Sequence, residues 1–183
     1  MARTLGRNTF LQRLMGAAAL DTAIYEEVEA DEGATSQALA VVVLSSLAAG
    51  IGVGDLSGTS LSTVVFVSVV SLLAWVAWAV LTYQIGTRIL PGMRTQADVG
   101  QLLRTIGFAA APGMLRVLGI LPSVTLPVFA VTWVWMLAAM VVGVRQALDY
   151  QSTPRAILVC VLGWVLAGAM AIVIGLLFGP ALQ

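Results

Sequence analysis

Apolar residues fill five long stretches of the chain, at 34–54, 61–87, 99–121, 124–148 and 155–179, and polar or turn-forming residues separate them. The separators are the Gly-Asp-Leu-Ser-Gly of 54–58, Pro91-Gly92, Pro122-Ser123 and the polar run DYQSTPR at 149–155. Each stretch has the length of roughly 20 residues that a helix needs to cross a hydrocarbon core about 30 Å thick. A transmembrane barrel would instead show alternating segments of about ten residues. The pattern therefore predicts an all-α polytopic membrane protein with five transmembrane helices. Ahead of them, residues 8–20 put Phe10, Leu14 and Ala17 on one side of a helix, with Arg13 off that side. That apolar side suits lipid or a partner helix. Asp21 is placed to cap a continuing helix, DTAIYEEVEADE, whose carboxylates read as a solvated face, with a metal or partner site as the alternative. Two regions follow: a cytoplasmic amphipathic and acidic segment, 1–32, and a five-helix membrane domain, 33–183.

Composition narrows the chemistry. The chain is 60% hydrophobic and only 10% charged, which excludes a water-soluble domain of this length. It has no histidine and one cysteine, Cys160. Ser-His-Asp and Cys-His catalysis, His-ligated haem and Cys/His zinc sites are excluded with them. No metal, cofactor or catalytic residue is expected, and the reading is that of a non-enzyme. Nine basic residues, all arginine, balance nine acidic ones, so no nucleic-acid partner is implied. The absence of lysine points to a GC-rich bacterial genome. The first 23 residues superficially resemble a signal peptide, but their apolar core is short and an acidic stretch follows, so they read as retained.

Arginine placement sets the orientation. Arg3, Arg7 and Arg13 precede the first span; Arg88, Arg94 and Arg104 surround the second-to-third connection; Arg145 and Arg155 flank the fourth-to-fifth. The 54–61 loop, the 121–124 turn and the C-terminus carry none. The expectation is a cytoplasmic N-terminus and an external C-terminus in a bacterial inner membrane. Arg116 is the exception. It lies about 18 Å of helix rise beyond Arg104, in the outer part of the third span, after a Pro112-Gly113 break. Two fates are open to it: snorkelling to headgroups, or pairing with Asp55, the one acidic side chain on that side.

Packing faces are also visible. Ser68, Ser71, Trp75, Trp78 and Thr82 form one stripe on the second span, which should face protein, with the nearby hydroxyls as partners for the indole N–H groups. All five tryptophans fall near mid-depth; they suggest aromatic packing at a helix junction, the alternative being an aromatic-lined ligand cavity. Gly163, Ala167, Ala171, Gly175 and Gly179 form a small-residue ridge on the fifth span; Ser46, Gly50 and Gly54 do so on the first, and Ala139, Gly143 and Ala147 on the fourth. Such seams let helix backbones approach closely.

Three stretches resemble the Yip family of five-span membrane proteins: LDTAIYEEVEAD leading into QALAVVVLSSLAAGIGVG, RTIGFAAAPGMLRVLG with Gly107, Phe108 and Pro112, and WVWMLAAMVVGVRQAL with Trp133, Trp135, Gly143 and Arg145. In eukaryotes that family is known for association with Rab GTPases. The family's Asp-Leu-Tyr-Gly-Pro segment has no counterpart here, where DTAIYEEVEAD stands instead. The resemblance implies a compact non-enzymatic module that binds other proteins or shapes membrane. The expected function is a structural or interaction module, or an accessory subunit of a larger membrane assembly. Its partners would be the lipid bilayer and other membrane proteins, or a second copy. The alternative is a small-solute or ion permease using the broken third helix around Arg116.

Overall fold

The computed structural model describes residues 8–53, 73, 75–92, 97–121 and 123–178, with backbone alone for 53, 168 and 170–178. All regular structure among the described residues is helical. In chain order it comprises α1 (Phe10–Ala18), α2 (Thr22–Ala30), α3 (Ala34–Val53), α4 (75–84), α5 (Val99–Ala109), α6 (Thr125–Ala147) and α7 (Thr153–Phe178). A π-helical turn, Ile85–Ile89, extends α4, and a 3-10 segment, Ala111–Ile120, follows α5.

Local chemistry starts and stops these elements. Thr9 and Gln12 form a capping box on α1, and Asp98 and Gln101 form another on α5. Asp21 caps α2 by accepting from the Ala23 N–H at 3.0 Å. Between α1 and α2 the chain reverses without glycine: Leu20 takes φ 63°, a left-handed conformation that β-carbon sterics disfavour. The Asp21 N–H bond to the Gly16 carbonyl, 2.9 Å, helps hold the reversal. The π-turn before Pro91 is met by Tyr150, whose hydroxyl lies 2.7 Å from the Leu90 carbonyl and 3.1 Å from that of Gly86.

The third apolar stretch is broken, and Pro112 explains it. Proline lacks the N–H that would continue α5, so α5 ends at Ala109 and a ten-residue 3-10 run takes over. Runs beyond three or four residues are uncommon. This one lies against α3 so closely that a Cβ on Gly52 would strike the Arg116 carbonyl, and one on Gly119 would sit 2.9 Å from the Gly52 carbonyl. Gly113 is equally confined by Ser45 and Met136.

α5 is the central element. Arg104 through Ala109 are all buried. Phe108 joins a core with Ala17, Tyr25, Val28, Ala38 and Val41 from α1, α2 and α3. Leu102 and Ile106 join a second core with Ile85, Val144, Leu148 and Val159 from the π-turn, α6, the residue after it and α7. Small residues admit both neighbours: a Cβ on Gly107 would lie 2.7 Å from the Ala38 Cβ, and one on Gly143 would lie 3.2 Å from the Thr105 carbonyl oxygen. On α6 the seam residues Ala139, Gly143 and Ala147 are all buried. On α3 the expected register needs correction. Close contact runs through Ala38, Ser45 and Gly52, whereas Gly50 is exposed with nothing within 4 Å of a Cβ position. Gly54 lies outside the described residues.

Three helical stretches among the described residues are long and apolar enough to cross a membrane: Ala34–Gly52, Val99–Ile120 and Thr125–Ala147. Of the expected second span, 61–87, only 73 and 75–87 are described. The expected fifth span corresponds to α7, which runs over Thr153–Phe178.

Candidate functional site

Two arginines fasten the N-terminal helices to the bundle. Arg13 is 1% exposed and its guanidinium reaches Glu27 at 2.7 Å and Asp31 at 2.8 Å, with Gln37 of α3 at 3.1 Å. Asn8 adds its backbone and side-chain N–H groups to Glu27. The acidic stretch is therefore not simply a solvated face: Glu27 and Asp31 turn inward onto a buried cation. Burial alone would lower the pKa of Arg13, but hydrogen bonds to Glu27 and Asp31 outweigh it and hold the value above the ordinary one. Burial likewise works to raise Glu27, yet the bonds from Arg13 and Asn8 hold it below the usual carboxylate range.

Arg104 is the second fastener, and it is buried rather than flanking a loop. Its Nε donates to the carbonyls of Val28 and Glu29 at 3.0 Å, and an Nη also reaches Glu29. These carbonyls belong to the last turn of α2, where helical acceptors lack intrahelical partners and a cation is favoured. Around this junction Glu26 and Asp149 are exposed and Glu29 is half-buried. Burial first, then the charge of Asp149, pushes Glu29 up to about 7; Arg104 opposes the shift, and Glu26 and Asp98 add to it.

Towards the other end of α5 lies a cavity of about 560 Å³ lined by α3, α4, α5, the 3-10 segment, α6 and α7. Arg116, Trp75, Trp78, Phe129, Trp164 and Ala167 line it. The Arg116 guanidinium carbon sits 5.5 Å from the centre of the Phe129 ring. Among the described residues, Arg116 Nε and the indole nitrogens of Trp75 and Trp78 are buried without a hydrogen-bond partner, as is the Thr82 hydroxyl. Of the hydroxyls expected to serve these two indoles, Thr82 does not, and Ser68 and Ser71 lie outside the described residues. Trp135 does have a partner, the Ala18 carbonyl at 2.7 Å. Trp78 and Trp133 both meet Trp164 edge-on, with ring centroids 5.4 and 5.9 Å apart. On α4 Thr82 is buried, whereas Val76 and Val80 on other sides are exposed.

Of the other residues singled out from the sequence, Pro112 and Gly113 are buried, Gly113 against Ser45 of α3 and Met136 of α6, and neither lines the cavity. Gly163 is buried, and a Cβ there would lie 2.8 Å from the Trp78 ring. Ala171 and Gly175 fall on the helical backbone of α7, beyond the described side chains. Asp55, Ser68 and Ser71 lie outside the described residues. The sequence reading did not single out Arg13 or Arg104 as site residues. The available signal was an arginine within an apolar helix, 14 and 18 residues ahead of acids that α2 brings back to it.

A family model, the Yip1 domain, matches residues 22–175. The chain belongs to the Yip family. No curated protein and no solved structure matched it. The Yip1 match makes this an integral membrane protein of that family. It begins at the first residue of α2, so the Yip region takes in Glu27, Asp31, Arg104 and the whole cavity, while α1 and Arg13 precede it. Among the described residues of this Yip chain, no group of three or more His, Cys, Asp or Glu side chains is arranged to hold a metal ion.

Proposed function

We propose that this Yip-family chain is a non-enzymatic interaction module of the bacterial inner membrane, an accessory subunit that recruits a membrane-bound partner through its cytoplasmic face. The observation that carries the reading is the meeting of α2 with the end of α6, where Glu26 accepts a hydrogen bond from Gln146 at 2.9 Å and where the charges of Glu26, Asp98 and Asp149 all act on Glu29. Arg104, whose charge opposes theirs, is committed to backbone carbonyls of α2. Carboxylates left short of countercharge attract a basic segment, and perturbed titration concentrates at functional surfaces.

The topology proposed with it has five spans, α3 to α7, with the N-terminus cytoplasmic and the C-terminus external. The 1–32 segment acts as a layer on the cytoplasmic end of the 33–183 bundle. Arg13 and Arg104 support this layer, since their bonds join α1 and α2 to α3 and α5. Affinity purification of the full chain in mild detergent tests the function. Partners should be lost from the Glu26→Gln/Asp149→Asn variant and at high salt. Unchanged partners would reject the acidic face. A permease would require solute flux in proteoliposomes, and none is expected.

A further inference from the structure

We propose that the cavity around Arg116 binds a lipid with an anionic head, the head resting on Arg116 and the indole N–H groups of Trp75 and Trp78, and an acyl chain running along the apolar wall. This goes beyond the docking reading and does not depend on it.

Donor and acceptor accounting carries the argument. Arginine stays charged at any relevant pH and offers only donors, as does the indole nitrogen. Three such donors border the cavity buried and without acceptors among the described residues: Arg116 Nε, Trp75 Nε1 and Trp78 Nε1. The group that completes them must accept hydrogen bonds and carry negative charge, which describes a phosphate or a carboxylate. Phe129 faces the guanidinium, a placement that favours the cation and orients it.

The rest of the wall asks for something else. Apart from Ser45 and Ser46, the latter's hydroxyl already donating to the Val42 carbonyl, it is apolar: Val42, Ala49, Ile106, Met136 and Met140 line it, and the two methionines are unbranched and adaptable. A small soluble anion would lose its hydration there without using these surfaces. An amphiphile uses both. The volume of about 560 Å³ falls within the ~300–1,000 Å³ of ordinary ligand sites. Gly50 borders the cavity, is exposed and has nothing within 4 Å of a Cβ position. The wall is open at that point, so a chain longer than the cavity continues into the bilayer.

The test uses the full chain in nanodiscs of zwitterionic phospholipid, doped at equal mole fraction with brominated phosphatidic acid or brominated phosphatidylcholine. Bromine quenches nearby tryptophans, and Trp75, Trp78 and Trp164 all border the cavity. The expected result is saturable quenching by the anionic lipid at low mole fraction, well above that by the zwitterionic one. Arg116→Gln should raise the half-saturating fraction at least about tenfold, from the loss of charge-assisted bonds, and Arg116→Lys should restore part of the preference. Equal quenching by the two lipids in the native chain overturns the proposal whether or not the variants assemble. A preference undiminished in a folded Arg116→Gln protein overturns it too. Inorganic phosphate should not displace the quencher; displacement would assign the site to a free anion and reject the lipid.

Discussion

Replacing Arg13 with methionine keeps much of the stem volume and removes the charge that Glu27 and Asp31 share. Breaking a buried ion pair by removing one partner costs on the order of 3–5 kcal/mol, because the other charge is left uncompensated. Here the partners are 25% and 9% exposed, so water relieves part of that cost. We therefore take about 2–3 kcal/mol for detachment of α1 and α2. At about 1.4 kcal/mol per tenfold, the open population rises roughly 30- to 140-fold. Amide hydrogen exchange of the full chain in detergent reads this directly in α2, whose protection against local opening should fall by that factor. The α6 amides, which do not depend on Arg13, serve as the internal reference. Glu27→Gln in the same background should add less than its effect alone, since the two residues form one network. Native-like exchange of α2 in Arg13→Met would refute the view that Arg13 fastens the layer.

Other outcomes follow from the same geometry. Arg104→Gln leaves the final carbonyls of α2 without their cation and should speed exchange at the end of α2 while sparing α1's first turn. Glu29 has its folded pKa raised to about 7, so its contribution is fully present below its unfolded value and is lost as pH rises towards and through 7. Thermal unfolding of Glu29→Gln should therefore lack a fall in stability that the native chain shows over that window, and an identical pH profile would count against the junction described. Gly107→Ala places a methyl 2.7 Å from the Ala38 Cβ and should destabilise by about 1–3 kcal/mol, whereas Gly50→Ala meets nothing and should be neutral or slightly stabilising, both read as melting shifts in detergent. Gly163→Ala presses on the Trp78 ring and should shift tryptophan emission. Reporter fusions after residue 31 and at the C-terminus should report opposite sides of the membrane, and matching sides would remove the five-span topology.

The fourth apolar stretch was legible nearly to the residue, 124–148 becoming Thr125–Ala147, and so was the start of the first, at Ala34. Length and hydropathy decide such helices, and both are local properties. Pro112 announced the break in the third stretch for the same reason, and Asp21 announced the start of α2. The inward turn of Glu27 and Asp31 was not legible, because it depends on a reversal at Leu20 that no glycine or proline marks. The face of α3 was misjudged for another reason. That helix is apolar on every side, so the periodicity that separates a buried face from an exposed one is absent. Small residues then occur at both 45/52 and 46/50, and only the position of the 3-10 segment selects the former. The cavity joins residues from six elements, a juxtaposition that no single stretch encodes.

Site-specific photocrosslinking in living cells tests the central claim most directly. A photoreactive residue at Ala30, exposed one turn beyond Glu26 on the acidic junction, should give a discrete protein adduct. Glu26→Gln/Asp149→Asn should abolish that adduct while the chain remains in the membrane at native abundance. Crosslinks to lipid alone, or a protein adduct indifferent to the loss of the two carboxylates, would contradict the account.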